Sequence, residues 1–112
     1  MTDHTSAIRA LPATEAAARL DEPDAVVLDV RTPAEYAQVR LPGAINIDFY
    51  GSTLQAELSE LDTAAPVLLY CRSGSRSGHL HPLLAELGFQ DVIDVDGGII
   101  AWVNAELPLT NE

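Results

Sequence analysis

Three features of the chain predict an α/β fold, with a central parallel sheet of about five short strands and helices on both faces. Residues 25–30 and 66–70 are nearly unbroken apolar runs, as parallel strands covered on both faces require. Strand-like runs alternate with helix-period segments, which implies right-handed crossovers between parallel neighbours. The run ending at Tyr70 passes through Cys71-Arg72-Ser73-Gly74-Ser75-Arg76-Ser77 straight into a helical segment. In open α/β sheets, the crevice beyond the strand ends is where ligands bind.

In chain order, residues 1–6 are polar and expected to be loose, and residues 7–10 read as a short edge strand. Thr14 is the expected cap of a short helix over 15–20, with Glu15 in its first turn. A turn at 21–24 leads into the strand at 25–30. Thr32-Pro33 then reads as N-cap and first helical position of a helix running to about Val39. Leu41-Pro42-Gly43 breaks that helix ahead of a short strand at 44–47. Leu54, Leu58 and Leu61 recur at helical spacing and mark one face of an amphipathic helix. After the Cys71 loop, residues 78–88 read as one helix closed by Gly88, in which Pro82 removes a bond to Gly78 and should produce a kink. Residues 92–95 form the last short strand, and Gly97-Gly98 turns it into a terminal helix carrying Ile99 and Trp102.

One domain is expected, because 112 residues with 47% apolar composition suffice for a single core. The formal charge of −11 argues against nucleic acid or an anionic membrane surface as a partner. No apolar run is long enough to span a bilayer, and the first twenty residues lack the pattern of a secretory signal, so a cytoplasmic location is expected. The six basic residues are all arginine, and only Arg72 and Arg76 cluster. With a single cysteine the chain can form no internal disulfide.

The loop carries the chemistry. Small residues at Ser73, Gly74, Ser75 and Ser77 let the backbone curl so that N–H groups point inward, and the start of the following helix adds positive potential. A thiol of ordinary pKa ~8.5 can fall to roughly 3.5–7.5 beside a helix start and arginines, so Cys71 is expected to ionise readily. The plainer reading is a buried structural cysteine before an ordinary loop. Asp29 and Arg31, at the end of their strand, can shape the pocket rim or form a structural pair with partners such as Glu35. His79 and His81 stand two apart, which puts them on different helix faces, so no metal site is expected. Asp94 and Asp96 can pass for paired catalytic carboxylates, but turn chemistry is the preferred reading. Trp102 reads as a core anchor.

The loop resembles the active-site loop of the rhodanese, or sulfurtransferase, family. Asp29-Val30-Arg31, Tyr36 followed by residues 41–47, Leu87-Gly88-Phe89, and Gly97-Gly98-Ile99 leading to Trp102 extend the likeness over almost the whole chain. The resemblance implies the rhodanese-like three-layer fold and sulfur transfer through a persulfide on Cys71. Arg72 and Arg76 would recognise the donor anion, and Ser73, Gly74, Ser75 and Ser77 would shape the cradle. The implied substrates are a sulfane-sulfur donor such as thiosulfate and an acceptor, a cellular thiol or, in assays, cyanide; no cofactor is needed. Arg40 replaces the histidine that the family usually has there, and it is a further candidate for the rim. Cysteine-loop phosphatases have five residues between Cys and Arg, whereas this chain has four, and they carry a histidine where this chain has Tyr70. A phosphatase or arsenate reductase is therefore the less favoured alternative. A rhodanese-like carrier or partner-binding module with little turnover is the nearer one.

Overall fold

The computed structural model describes residues 7–112; the expectation of a loose N-terminus at residues 1–6 lies outside the described residues. Among these residues, strands β1 (Ile8–Pro12), β2 (Val26–Asp29), β3 (Ile45–Asn46), β4 (Val67–Tyr70) and β5 (Val92–Asp96) form one sheet in the order β1-β5-β4-β2-β3. Every pairing is parallel, with Leu28 beside Leu69 and Leu69 beside Asp94. The expected α/β architecture is therefore the observed one. β4 lies in the middle of the sheet, which explains why all four of its residues are buried.

Strand alternation divides the core in two. Val67, Leu69 and Cys71 point to one face, packing with Leu58, Leu80, Leu84 and Phe89, while Leu68 and Tyr70 point to the other, with Leu41, Val95, Ile99 and Trp102. The first face is covered by α3 (Leu54–Ser59), α4 (Ser75–His79) and α5 (His81–Glu86). Covering the second are α1 (Ala13–Ala16), a 3₁₀ segment (Ala17–Asp21), α2 (Pro33–Gln38) and α6 (Gly98–Asn104). Trp102 is fully buried there and donates its indole N–H to the Pro108 carbonyl at 2.7 Å.

Two local expectations need correction. Thr14 does not cap the first helix: Pro12 holds the N-cap position, and no side chain caps it. The chain leaves β1 at Pro12 and turns directly into the helix, so Thr14 falls inside the first turn. The segment 78–88 is not one kinked helix. α4 already begins at Ser75, after Gly74 in the left-handed region at φ 101°, and ends before Leu80. Pro82 then sits in the first turn of α5, where a missing N–H costs nothing. The proline thus separates two helices. Gly88 closes α5 as expected, at φ 91°.

Candidate active site

Cys71 follows β4 directly and is only 1% exposed, so the centre of the sheet's carboxyl edge delivers the thiol beneath its own loop. The Gly74 N–H donates to Sγ at 3.1 Å, and the Ser77 hydroxyl lies 3.4 Å from it. α4 starts one residue later, which leaves its first-turn amides without intrahelical acceptors.

The loop is held from two sides. On one side, the start of α6 approaches from β5: the Ile99 N–H donates to the Cys71 carbonyl at 2.9 Å and the Ile100 N–H to the Arg72 carbonyl at 3.1 Å. This approach is so close that a Cβ on Gly98 would stand 2.3 Å from the Arg72 oxygen and 2.6 Å from the Cys71 oxygen. On the other side, Arg76 makes a forked ion pair with Glu35, at 2.8 and 3.1 Å. The same Glu35 accepts from the Thr32 N–H at 2.9 Å, while the Thr32 hydroxyl accepts from the Glu35 N–H. The capping box that starts α2 is thus also the anchor of the cysteine loop.

The Arg76 guanidinium holds the Glu35 carboxyl down at about 2, helped by the Thr32 bonds and opposed by burial. Because the folded value lies below the ordinary 4.5, the clamp stabilises the fold fully above about pH 4.5 and is lost as pH falls towards 2. Glu35→Gln is therefore expected to lower stability at pH 7 by about 1 kcal/mol. Its urea midpoints should also fall less steeply than the parent's between pH 4.5 and 2. Parallel slopes in that range would show that the clamp contributes nothing to stability.

Arg72 is exposed and, among the described residues, makes no ion pair. It lines a depression of about 330 Å³ together with Arg31, Glu35, Ile99, Ile100 and Val103. Cys71 does not line it, so the depression flanks the loop. Arg31 reaches this depression, but Asp29 is fully buried and does not. The two form a close pair, with Arg31 Nη2 2.7 Å from Asp29 Oδ2. The Tyr70 hydroxyl donates to the same carboxylate at 2.6 Å, and the Leu41 N–H donates to Tyr70. The two bond to each other, as the paired reading of the sequence expects, but Glu35 is not their partner. Arg40 lies apart from the depression: it stacks on Tyr36, donates to the Tyr36 carbonyl at 3.1 Å and pairs through its backbone with Thr110.

The preferred reading of Asp94 as turn chemistry is corrected by the structure. Asp94 is not a turn residue: it is 3% exposed on β5, accepts from the Ser77 hydroxyl at 2.8 Å and lies 2.7 Å from His81 Nε2. The available signal was a charge set between apolar neighbours in the middle of a strand, a position that only a partnered carboxylate can occupy. Asp96, by contrast, is exposed. His79 and His81 do turn to different partners, Ser75 and Asp94.

A model of the rhodanese-like domain matches residues 12–105. A sulfurtransferase of Allochromatium vinosum is 37% identical over 89 residues, covering 80% of this chain and 81% of its own. A protein of Pseudomonas fluorescens named thiosulfate sulfurtransferase GlpE is 36% identical over 88 residues, covering 79% of each chain. In structure, a rhodanese-related protein of Thermoplasma volcanium superposes with a TM-score of 0.81 at 29% identity, over 93% of this chain and 99% of that one. The sheet order, the cysteine loop at its carboxyl edge and these likenesses agree: the chain belongs to the rhodanese-like domain family of sulfurtransferase relatives.

Proposed function

We propose that this protein moves a sulfane sulfur from thiosulfate or a similar donor to a thiol, through a persulfide on Cys71, in the cytoplasm. The observation that carries the reading is the setting of Cys71, a lone thiol that meets an N–H and a hydroxyl at the end of the central strand. The thiolate attacks the outer sulfur of the donor. A bond forms between Sγ and that sulfur, the donor's sulfur–sulfur bond breaks, and sulfite leaves with the electron pair. An acceptor thiolate, or cyanide in an assay, then attacks the terminal sulfur and restores the Cys71 thiolate. Neither step needs a cofactor.

The two loop arginines divide the work. Arg72, exposed and without an ion pair among the described residues, is the residue for the donor anion. Arg76 is committed to Glu35 and braces the loop, a role for which its planar fork suits it. Ser73, Gly74, Ser75 and Ser77 shape the cradle. Donor identity draws support from relatives named for thiosulfate, and a cytoplasmic setting from a nucleophile that must stay reduced. The four-residue spacing between Cys71 and Arg76 favours a single sulfur over a tetrahedral phosphate.

A steady-state assay with thiosulfate as donor, and with cyanide and several thiols as acceptors, tests the proposal. Turnover is expected with thiosulfate and none with an aryl phosphate. Loading from thiosulfate without turnover to any acceptor would mark a carrier and overturn the catalytic reading.

A further inference from the structure

Asp94 is a buried carboxylate that the sulfur-transfer steps above do not use, yet it stands one hydroxyl away from the nucleophile. The Ser77 Oγ lies 2.8 Å from Asp94 Oδ1 and 3.4 Å from Cys71 Sγ. A hydroxyl has one proton to donate, so it serves the carboxylate or the sulfur but not both. The outer oxygen, Oδ2, is held by His81 Nε2 at 2.7 Å, and the His81 side chain is 30% exposed. A continuous hydrogen-bonded chain therefore runs from solvent through His81, Asp94 and Ser77 to Cys71.

We propose that Asp94 is a positioning residue for Cys71, acting through Ser77. With Asp94 ionised, the Ser77 proton points to the carboxylate, Ser77 accepts from the Cys71 S–H, and the sulfur stays a thiol. With Asp94 protonated on Oδ1, that O–H donates to Ser77, and Ser77 turns its own proton to a Cys71 thiolate. The two arrangements differ by one concerted shift, from Sγ to Ser77 and from Ser77 to Asp94, and hold the same number of protons. The pair thus shares a proton and titrates in two coupled steps.

The surroundings favour this exchange. Burial pushes the Asp94 carboxyl up from its ordinary value, and the like charge of Asp96 adds to that, while the bonds from His81 and Ser77 pull it down. Around Asp94 the other charged groups are engaged elsewhere or exposed, with His79 of α4 on the Ser75 carbonyl and Glu86 of α5 facing solvent. Arg76 of α4 is paired with Glu35, Arg9 of β1 and Arg19 with Asp91, and Tyr70 of β4 turns to Asp29 on the opposite face. Across the sheet, α6 carries no titratable side chain and α1 only the exposed Glu15.

This inference rests on Cys71 as the nucleophile, but its test does not need sulfur transfer. Because Cys71 is the only cysteine, the rate of alkylation by iodoacetamide against pH reports its thiolate alone. The wild-type profile is expected to rise in two steps. Asp94→Asn keeps the shape, with its carbonyl able to accept from His81 and its amide able to donate to Ser77. Its profile should collapse to one step, with the midpoint about one pH unit lower and alkylation near neutrality up to ~10-fold faster. Ser77→Ala, which leaves Asp94 in place, should also give one step, and adding Asp94→Asn to it should move the midpoint by less than a third as much. A one-step wild-type profile, an unmoved or raised midpoint in Asp94→Asn, or the same shift with and without Ser77 would overturn the proposal. A protein that passes this test yet transfers no sulfur would refute the proposed function and leave the coupling standing.

Discussion

Cys71→Ser is expected to fold as the parent does and to lose sulfur transfer by roughly 10⁴-fold or more. Serine is slightly smaller than cysteine, and the buried hydroxyl would find partners in the Gly74 N–H and in Ser77, so no unsatisfied polar group is created. What disappears is the nucleophile, because an alkoxide is not accessible at neutral pH. Thiocyanate formation from thiosulfate and cyanide, measured beside the circular dichroism of the same samples, reads both halves of the expectation. A folded variant with parental turnover would remove Cys71 from the mechanism.

The second large effect is expected at a residue that never meets the substrate. In Gly98→Ala the new Cβ would stand 2.3 Å from the Arg72 oxygen, and backbone, not a flexible side chain, must give way. The residue also lies at φ 63°, where a side chain adds roughly 1–2 kcal/mol of strain. Moving α6 away weakens the Ile99 and Ile100 bonds to the loop carbonyls, at about 1 kcal/mol each. A total near 3 kcal/mol should lower the melting temperature by roughly 10 °C. Sulfur transfer should fall by about 100-fold, because a shift of the loop misplaces the sulfur relative to its donors. Unchanged melting and turnover would show that the loop does not depend on this contact.

The parts of this protein that could be read from the sequence are those fixed by local rules. β2 and β4 are legible because a strand buried on both faces must be nearly all apolar, and the start of α2 because Thr32 and Pro33 suit the N-cap and first helical positions. Thr14 misleads because a cap is recognisable only once the strand end is known, and Pro12 moved that end. Pro82 reads as a kink within one helix, whereas the chain breaks there into two, because a kink and a break look alike in one dimension. The loop was visible through its residue types; what holds it was not. Glu35 and Arg76 are forty-one positions apart, and nothing in either segment names the other. Gly97-Gly98 announces a turn, whereas the close approach to the Arg72 carbonyl exists only once β4 and β5 are adjacent. Asp94 reads as turn chemistry because it and Asp96 stand at a strand end just ahead of Gly97-Gly98; the register that points it at Ser77 comes from pairing with β4.

The persulfide is the centre of the proposed mechanism, and the intact mass of the protein reads it directly. Reduced protein incubated with thiosulfate and freed of it should gain about 32 Da, and the gain should vanish on treatment with a reducing thiol. Cys71→Ser should gain nothing, since no other cysteine exists to carry the sulfur. Protein that never gains this mass, or that instead hydrolyses an aryl phosphate, would contradict the sulfurtransferase reading.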